Sequence, residues 1–184
     1  SCASCGYAAN VEKVSLSPLS SNPSDPTESC EEIETPDQHT ISTLCTFLGI
    51  SPEKTIKTLL VDGADGGLVA LILRGDHELN TVKAESLEAV ATPLRLAGRD
   101  AIVSAIGSTP GSIGPVGLNI PIFADHSAAS LSDFVCGANK EGYHLRGVNW
   151  ERDLPAPESY DLRQAVEGDS CPNDSEQKIS IKRG

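Results

Sequence analysis

One lysine stands inside an otherwise apolar segment, "TIKTLLV", at residues 55–61. The segment is typical of a strand, and strand alternation places Lys57 on the same face as Leu59 and Val61. A cation in that position could hold a phosphate or a hydroxyl at the wall of a site. The commoner explanation is an edge-strand lysine that reaches solvent and blocks aggregation. The segment alone leaves both interpretations open.

A second candidate is the loop Gly111–Pro115, "GSIGP". Glycine lets the backbone approach a ligand closely and proline stiffens the turn, so that N–H groups can be fixed around an anion or a carbonyl. It is not a phosphate-binding P-loop, because no Gly-Lys-Ser/Thr follows it. A flexible connector would have the same composition.

The histidines occur in no pattern that indicates catalysis. No Gly-x-Ser-x-Gly or His-Glu-x-x-His frame accompanies any of them, and a single histidine is more often structural. They are His39, His77, His126 and His144. The sequence therefore gives no support to nucleophilic catalysis of the usual kinds.

The chain contains six cysteines, two of them in an early Cys-x-x-Cys, Cys2 and Cys5. Such a pair can be half of a zinc site or a redox motif, although no βαβ context supports the redox interpretation. Cys45 and Cys136 lie in apolar segments, where a buried free thiol is expected. Without signs of secretion, we expect reduced thiols and a cytoplasmic protein.

The composition argues against a general nucleic-acid binder. The 184 residues include 14 Lys and Arg and 26 Asp and Glu, which gives a formal net charge of −12. Phosphate contacts depend on clustered cations, so we expect no DNA binding and contact with at most a small piece of RNA. No apolar run is long enough for a membrane span. Because the chain has no methionine, we expect it to be a segment of a longer protein.

Periodicity predicts the elements that position these candidates. Apolar residues at helical spacing predict a helix over 40–49 that ends at Gly49, and 55–61 with 68–74 predict an antiparallel hairpin. Asn80 is the predicted N-cap of a helix over 81–91. A further helix is predicted over 99–106, and further strands over 120–125, 143–149 and 178–183. This irregular alternation predicts an α+β domain with a mixed sheet.

A stretch rich in Ser, Pro and acidic residues follows the first segment. It has almost no apolar periodicity and should be an exposed linker. The predicted organisation is an N-terminal segment, a linker, a globular domain and a C-terminal segment, over 1–14, 15–34, 35–154 and 155–184.

Several phrases together resemble the editing, or insertion, domain of bacterial prolyl-tRNA synthetase with both junctions to its catalytic core. Free-standing YbaK-like deacylases share the fold but would lack the flanking phrases. The phrases are "CGYAANVEK" (5–13), "EKTIKTLLV" (53–61), "LRGDHELNTVKAE" (73–85), "GSIGPVG" (111–117), "CGANKEGYHLRGVNWERD" (136–153), "DLRQAVEGD" (161–169) and "IKRG" (181–184).

The resemblance implies a YbaK-like fold, a mixed, barrel-like sheet flanked by helices, and hydrolysis of alanine wrongly attached to proline tRNA. It places Lys57 at the phosphate or ribose of the terminal adenosine and Gly111 at the aminoacyl ester. His144 would filter the amino acid by size. The same loop contributes Ser112, Ile113, Gly114 and Pro115 to substrate binding, and Thr35 and Asp125 match further positions near the site.

The implied partners are the 3′ acceptor end of mischarged tRNA(Pro) and the rest of the synthetase chain, expected to be a homodimer. Editing needs no cofactor, and ATP would bind only the parent synthetase core. In many relatives each junction carries Cys-x-x-Cys, together resembling a zinc ribbon. In this chain the first junction carries Cys2 and Cys5, and the second carries Cys171 and Asp174. We expect the two junctions to lie together but to hold no zinc.

Two alternatives stay open from the sequence. One is a related deacylase pocket tuned to cysteinyl-tRNA. The other is an insertion without editing activity that stabilises the synthetase or positions tRNA.

Overall fold

The central hairpin consists of β2 (Ile56–Asp62) and β3 (Leu68–Arg74), which pair antiparallel as predicted. In the computed structural model, which describes residues 1–18 and 22–182, β4 (Ile122–Asp125) pairs parallel with β3 and β7 (Glu158–Tyr160) pairs parallel with β4. The resulting mixed sheet has the order β2-β3-β4-β7. Strand β2 forms one edge of this sheet.

A second, antiparallel sheet has the order β1-β6-β5 and comprises β1 (Glu31–Glu34), β5 (Phe134–Gly137) and β6 (Tyr143–Val148). A bridge between Thr55 and Val135 joins the edges of the two sheets, which gives the barrel-like curvature. The main core lies between the sheets, and its largest fully buried side chains include Phe134, Ile72 and Val148. The predicted α+β class with a mixed sheet is confirmed.

The first helix, α1 (Ile41–Leu48), begins and ends where the sequence predicts. Thr40 and Thr43 form a reciprocal capping box, and Gly49 adopts a left-handed conformation (φ 66°) that ends the helix. The other helices are α2 (Thr81–Glu85), α3 (Arg99–Ile106) and α4 (His126–Ala129). None of the helices in the described residues has the length and apolar character needed to cross a bilayer.

The helix predicted over 81–91 is wrong in its second half. Asn80 caps α2 as predicted, with its side chain accepting the Lys83 N–H, but α2 ends at Glu85. The segment after it hydrogen-bonds to the turn of the β2–β3 hairpin, because Ala64 N–H donates to Ala89 O and Ala91 N–H donates to Asp62 O. Tertiary pairing overrides helix propensity here.

The predicted exposed linker over 15–34, of which residues 19–21 lie outside the described part, includes a strand at its end. Its last residues form β1, which pairs with β6, and Glu31 and Glu32 form ion pairs with Arg146 and Lys140. Upstream, Asp133 accepts hydrogen bonds from the Thr27 backbone and hydroxyl. An exposed, acidic edge strand has no apolar period, so periodicity did not indicate it.

The C-terminal hairpin also differs from the prediction. Its strands are β8 (Ser170–Cys171) and β9 (Asp174–Lys178), so the strand predicted over 178–183 occurs earlier, and residue 183 lies outside the described part. The two ends of the chain meet beside this hairpin. Ser1 N donates to Ser180 O over 2.6 Å, and Ser180 N donates to Ser1 O over 2.7 Å.

Candidate functional site

A cavity of about 210 Å³ opens between the start of α1, the edge strand β2, a 3-10 turn at Pro110–Ser112, and strands β5 and β6. We call it the Lys57 cavity. Four of the predicted site residues line it: Lys57, Gly111, Ile113 and His144. The other lining residues are His39, Thr40, Ile41, Leu44, Ile56, Thr58, Leu59, Pro110 and Gly137. The structure thus gathers residues from positions 39 to 144 at one place.

Lys57 lies on the edge strand and at the cavity wall, so it combines both interpretations of its segment. Its side chain is only 20% exposed, and its Nζ lies 3.3 Å from Oε1 of Glu78, which is 78% exposed. A partner this accessible to water holds the ammonium weakly. An anionic ligand at the cavity mouth could therefore replace Glu78 at little cost.

The loop Gly111–Pro115 is fixed by close backbone contacts rather than by its own stiffness alone. A Cβ on Gly111 would lie 3.0 Å from the Cβ of His39, and a Cβ on Gly114 would overlap the carbonyl oxygen of Gly137. Among the described residues, the Gly111 N–H has no hydrogen-bond acceptor. The Ile113 N–H likewise has no acceptor among the described residues, but Ile113 is buried whereas Gly111 is half-buried, so the Gly111 amide is the more accessible to a ligand oxygen.

Ser112, Gly114 and Pro115 of the loop lie behind the cavity wall rather than lining it. Gly114 N–H donates to Asn139 Oδ1 over 2.9 Å, and the Asn139 amide donates to the carbonyls of Gly114 and Val116. Ser112 and Pro115 are buried. The Gly114 N–H is therefore already bonded to Asn139, and the buried Ser112 and Pro115 support the loop.

His144 is buried on the cavity wall and oriented by Thr35. The Thr35 hydroxyl lies 2.5 Å from His144 Nδ1, and both residues are almost fully buried. Burial lowers the pKa of His144 below its usual value, and the nearby His39 lowers it further. The ring is therefore neutral near pH 7. Thr35 reaches the site through His144 and is a positioning residue.

Asp125 lies elsewhere, at the end of β4. Its carboxylate caps α4 by accepting Ser127 N–H and also accepts the backbone N–H groups of Leu162 and Arg163. It does not line the Lys57 cavity. These contacts cap α4 and tie residues 162–163 to the sheet, so Asp125 lies at a structural position outside the cavity.

Three residues that sequence reasoning missed help build the cavity. Thr58 lines it with a buried hydroxyl that has no hydrogen-bond partner among the described residues. His39 packs against Gly111, and Asn139 holds the loop. Asn139 and Thr58 fall within phrases that carry the family resemblance, which was the available signal, whereas His39 lies in none of them.

The lining consists of apolar residues, glycines, two histidines, Lys57 and the threonines Thr40 and Thr58. Within the described residues, no cysteine, serine or carboxylate lines the cavity. A larger groove of about 710 Å³ shares no residue with it and is lined by three carboxylates (Glu28, Glu31, Asp133) and two cations (Lys54, Arg146).

Three cysteines from the two terminal segments of the chain lie close together in space. The sulfur atoms of Cys2, Cys5 and Cys171 all lie within 4.8 Å of one another, and those of Cys5 and Cys171 are 3.5 Å apart. The Asp174 carboxylate is not part of this cluster and accepts the Glu176 N–H instead. The convergence of the two segments is as predicted.

Comparisons with known proteins agree with this architecture. Three solved structures each align with 74% of this chain: a hypothetical protein, APE2540 (25% identity, TM-score 0.63, 92% of that chain), a candidate trans-editing enzyme for prolyl-tRNA synthetase (20%, 0.62, 87%) and a scaffold used for computational epitope grafting (20%, 0.62, 88%). The sequence model of the aminoacyl-tRNA editing domain matches residues 35–154, which include the whole Lys57 cavity. The chain therefore belongs to the aminoacyl-tRNA editing domain family.

Proposed function

We propose that this chain is the editing domain of a prolyl-tRNA synthetase and hydrolyses the ester of alanyl-tRNA(Pro). The observation that carries the proposal is the Lys57 cavity, in which Lys57, Gly111, Ile113 and His144 meet. The phrases shared with the bacterial synthetase, at both ends of the chain, support the parent enzyme.

Discrimination against alanine requires such a second site. A pocket sized for proline excludes a smaller amino acid by only about 1–3 kcal/mol per missing methylene. The Lys57 cavity measures about 210 Å³, and an apolar protein cavity of about 150 Å³ can hold benzene. The cavity therefore suits a small aminoacyl group, with the terminal adenosine outside it.

Each lining residue then has a role that follows from its place. Lys57 leaves Glu78 and binds the phosphate or ribose of the terminal adenosine through a charge-assisted hydrogen bond. The Gly111 N–H donates to the ester carbonyl as negative charge develops on its oxygen. Ile113 and the neutral His144 form the wall that limits the size of the amino acid side chain.

The reaction is an ester hydrolysis by water. The water oxygen attacks the carbonyl carbon, the carbon–oxygen bond to the ribose breaks, and the ribose oxygen leaves with a proton, so that alanine and free tRNA result. Because no cysteine, serine or carboxylate lines the cavity among the described residues, we assign the assistance to the water to the adjacent ribose hydroxyl. The step needs no metal and no ATP.

The body of the tRNA is held by the rest of the synthetase, in the cytoplasm and in the homodimer that the resemblance implies. A net charge of −12 leaves this chain poorly suited to bind a polyanion alone. It has only to receive the acceptor end.

Deacylation assays on alanyl-, cysteinyl- and prolyl-tRNA(Pro) test the proposal. We expect rapid loss of alanine only, and Lys57→Ala should lower kcat/KM by about 10- to 100-fold, the value of a hydrogen bond to a charged group. Lys54→Ala is the matched control, because Lys54 lines the larger groove and should leave the rate unchanged. Preferred loss of cysteine would favour the cysteinyl-specific deacylase, and three stable esters would favour a tRNA-positioning insertion.

A further inference from the structure

The cysteine cluster at the two ends of the chain has the geometry of a metal site. A tetrahedral zinc ion with zinc–sulfur distances near 2.3 Å holds its sulfur ligands about 3.8 Å apart. The sulfurs of Cys2, Cys5 and Cys171 lie within 4.8 Å of one another, and one pair is at 3.5 Å. We propose that these three thiolates bind one Zn²⁺, with water as the fourth ligand.

Backbone hydrogen bonds hold the three sulfurs in place without metal. Cys2 N–H donates to Tyr7 O over 2.8 Å, and Gly6 N–H returns to Cys2 O, which closes a tight turn around Cys5. Cys171 lies opposite Asp174 in the β8–β9 hairpin. The reciprocal hydrogen bonds between Ser1 and Ser180 keep the turn and the hairpin side by side.

The surrounding core is too small to explain this order. Five buried residues form it: Cys2, Val14, Ala165, Cys171 and Ile179. Small units of this kind commonly draw their stability from a structural metal or disulfides. A zinc ion would supply that stability, because its binding free energy adds directly to the folding free energy.

Asp174 is excluded from the ligand set by its position. In the Cys171-Pro-Asn-Asp174 turn it stands where a fourth cysteine would complete two Cys-x-x-Cys pairs. Its carboxylate instead accepts the Glu176 N–H and stays out of the sulfur cluster. The expectation of an empty site rested on Asp174 as the fourth ligand, whereas three convergent thiolates and a water would fill the four tetrahedral positions in the open pattern of three protein ligands.

Metal content tests the assignment. The full chain is prepared with added zinc under reducing conditions, dialysed, and analysed by mass spectrometry for zinc, with Cys5→Ser as the ligand variant. We expect about one zinc per chain in the wild type and at least about tenfold less in Cys5→Ser. Cys30→Ser is the matched control, since Cys30 is an exposed cysteine outside the cluster, and it should retain the ion.

Asp174→Ala should also retain zinc, and loss of the ion in this variant would overturn the three-sulfur assignment. A zinc-free wild type, full retention by Cys5→Ser, or a disulfide between Cys5 and Cys171 in the reduced preparation would overturn the site itself. Should Cys5→Ser fail to fold, Co²⁺ added to the wild type still decides. Three thiolates give intense sulfur-to-cobalt charge-transfer absorption, and its absence contradicts the proposal. None of these readouts depends on editing activity.

Discussion

The Lys57 cavity and the cysteine cluster both assemble residues that are distant in the sequence, but they are held together in different ways. The cavity lies among α1, both sheets and a loop whose backbone packs directly on β5. The cluster lies on five buried residues and two reciprocal hydrogen bonds. The comparison indicates that the cavity is preformed by the core, whereas the cluster rests on a small core and is the place where we propose that an ion adds stability.

Among the changes near the cavity, Gly114→Ala should have the largest effect on stability and on deacylation. The new Cβ would overlap the Gly137 carbonyl oxygen, and overpacking of this kind costs about 1–3 kcal/mol. We expect that loss in urea unfolding, together with at least tenfold slower deacylation, while zinc content stays unchanged.

Gly98→Ala is the control for this change, because a Cβ at Gly98 meets open space and its φ is −68°. It should be close to wild type in both measurements. If the two variants behave alike, the loop is not fixed by its contact with β5, and the cavity is no more preformed than the cluster.

Thr35→Val should have the next largest effect, because it removes the hydrogen bond to a buried ring. An unsatisfied His144 Nδ1 costs about 1–3 kcal/mol, and a freely rotating ring should admit prolyl-tRNA(Pro) as a substrate. Thr58→Val is the matched control, since the Thr58 hydroxyl is buried in the same cavity without a partner. Its removal should leave the free energy of unfolding unchanged or slightly higher. Equal losses in both variants would contradict the Thr35–His144 pair.

Sequence patterns predicted the elements with internal periodicity or local caps and failed where partners are distant. Helix α1, the β2–β3 hairpin and the Asn80 cap follow from local spacing. The Thr35–His144 pair spans 109 positions, and the contact of Gly114 with Gly137 joins two backbones. Neither contact produces a periodic pattern in the sequence.

For the candidate site, family resemblance supplied what the residue patterns could not. It brought Lys57, Gly111, Ile113 and His144 to one site before their distances were known, but it could not separate the lining from its support. Asp125 and Gly114 match family positions near the site, yet their polar groups are occupied by backbone or by Asn139. Only the hydrogen-bond partners reveal that difference.

The stability of the cavity region should depend on pH through His144. Burial holds the pKa of His144 below the ordinary value of about 6.5, so the unfolded chain takes up the proton first. Stability is then complete above about pH 6.5 and declines as the pH falls below it. His144→Gln should reduce the slope of the unfolding free energy between pH 6.5 and 5.

His77 makes a background contribution of the same sign to this slope, because its burial also lowers its pKa and Arg163 adds to the effect. The His144→Gln variant retains that part. Carboxylates titrate lower, as shown by Asp133, where hydrogen bonds from Thr27 and Asn149 outweigh burial and lower the pKa to about 2. An unchanged slope in His144→Gln would show that the ring is not held neutral by the cavity.

The smallest expected effect is that of Glu78→Gln, which tests whether the cavity is ready for its ligand. The ion pair with Lys57 is 3.3 Å long and largely exposed on the glutamate side, so its loss should change stability by less than about 0.5 kcal/mol. Lys57 would then no longer exchange a carboxylate for a phosphate, and KM for alanyl-tRNA(Pro) should fall about two- to threefold at low salt, with kcat unchanged. High salt should remove the difference, because screening weakens the original pair. A rise in KM would instead mean that Glu78 orients Lys57 for the substrate, and the cavity, like the cysteine cluster, would depend on a partner to complete it.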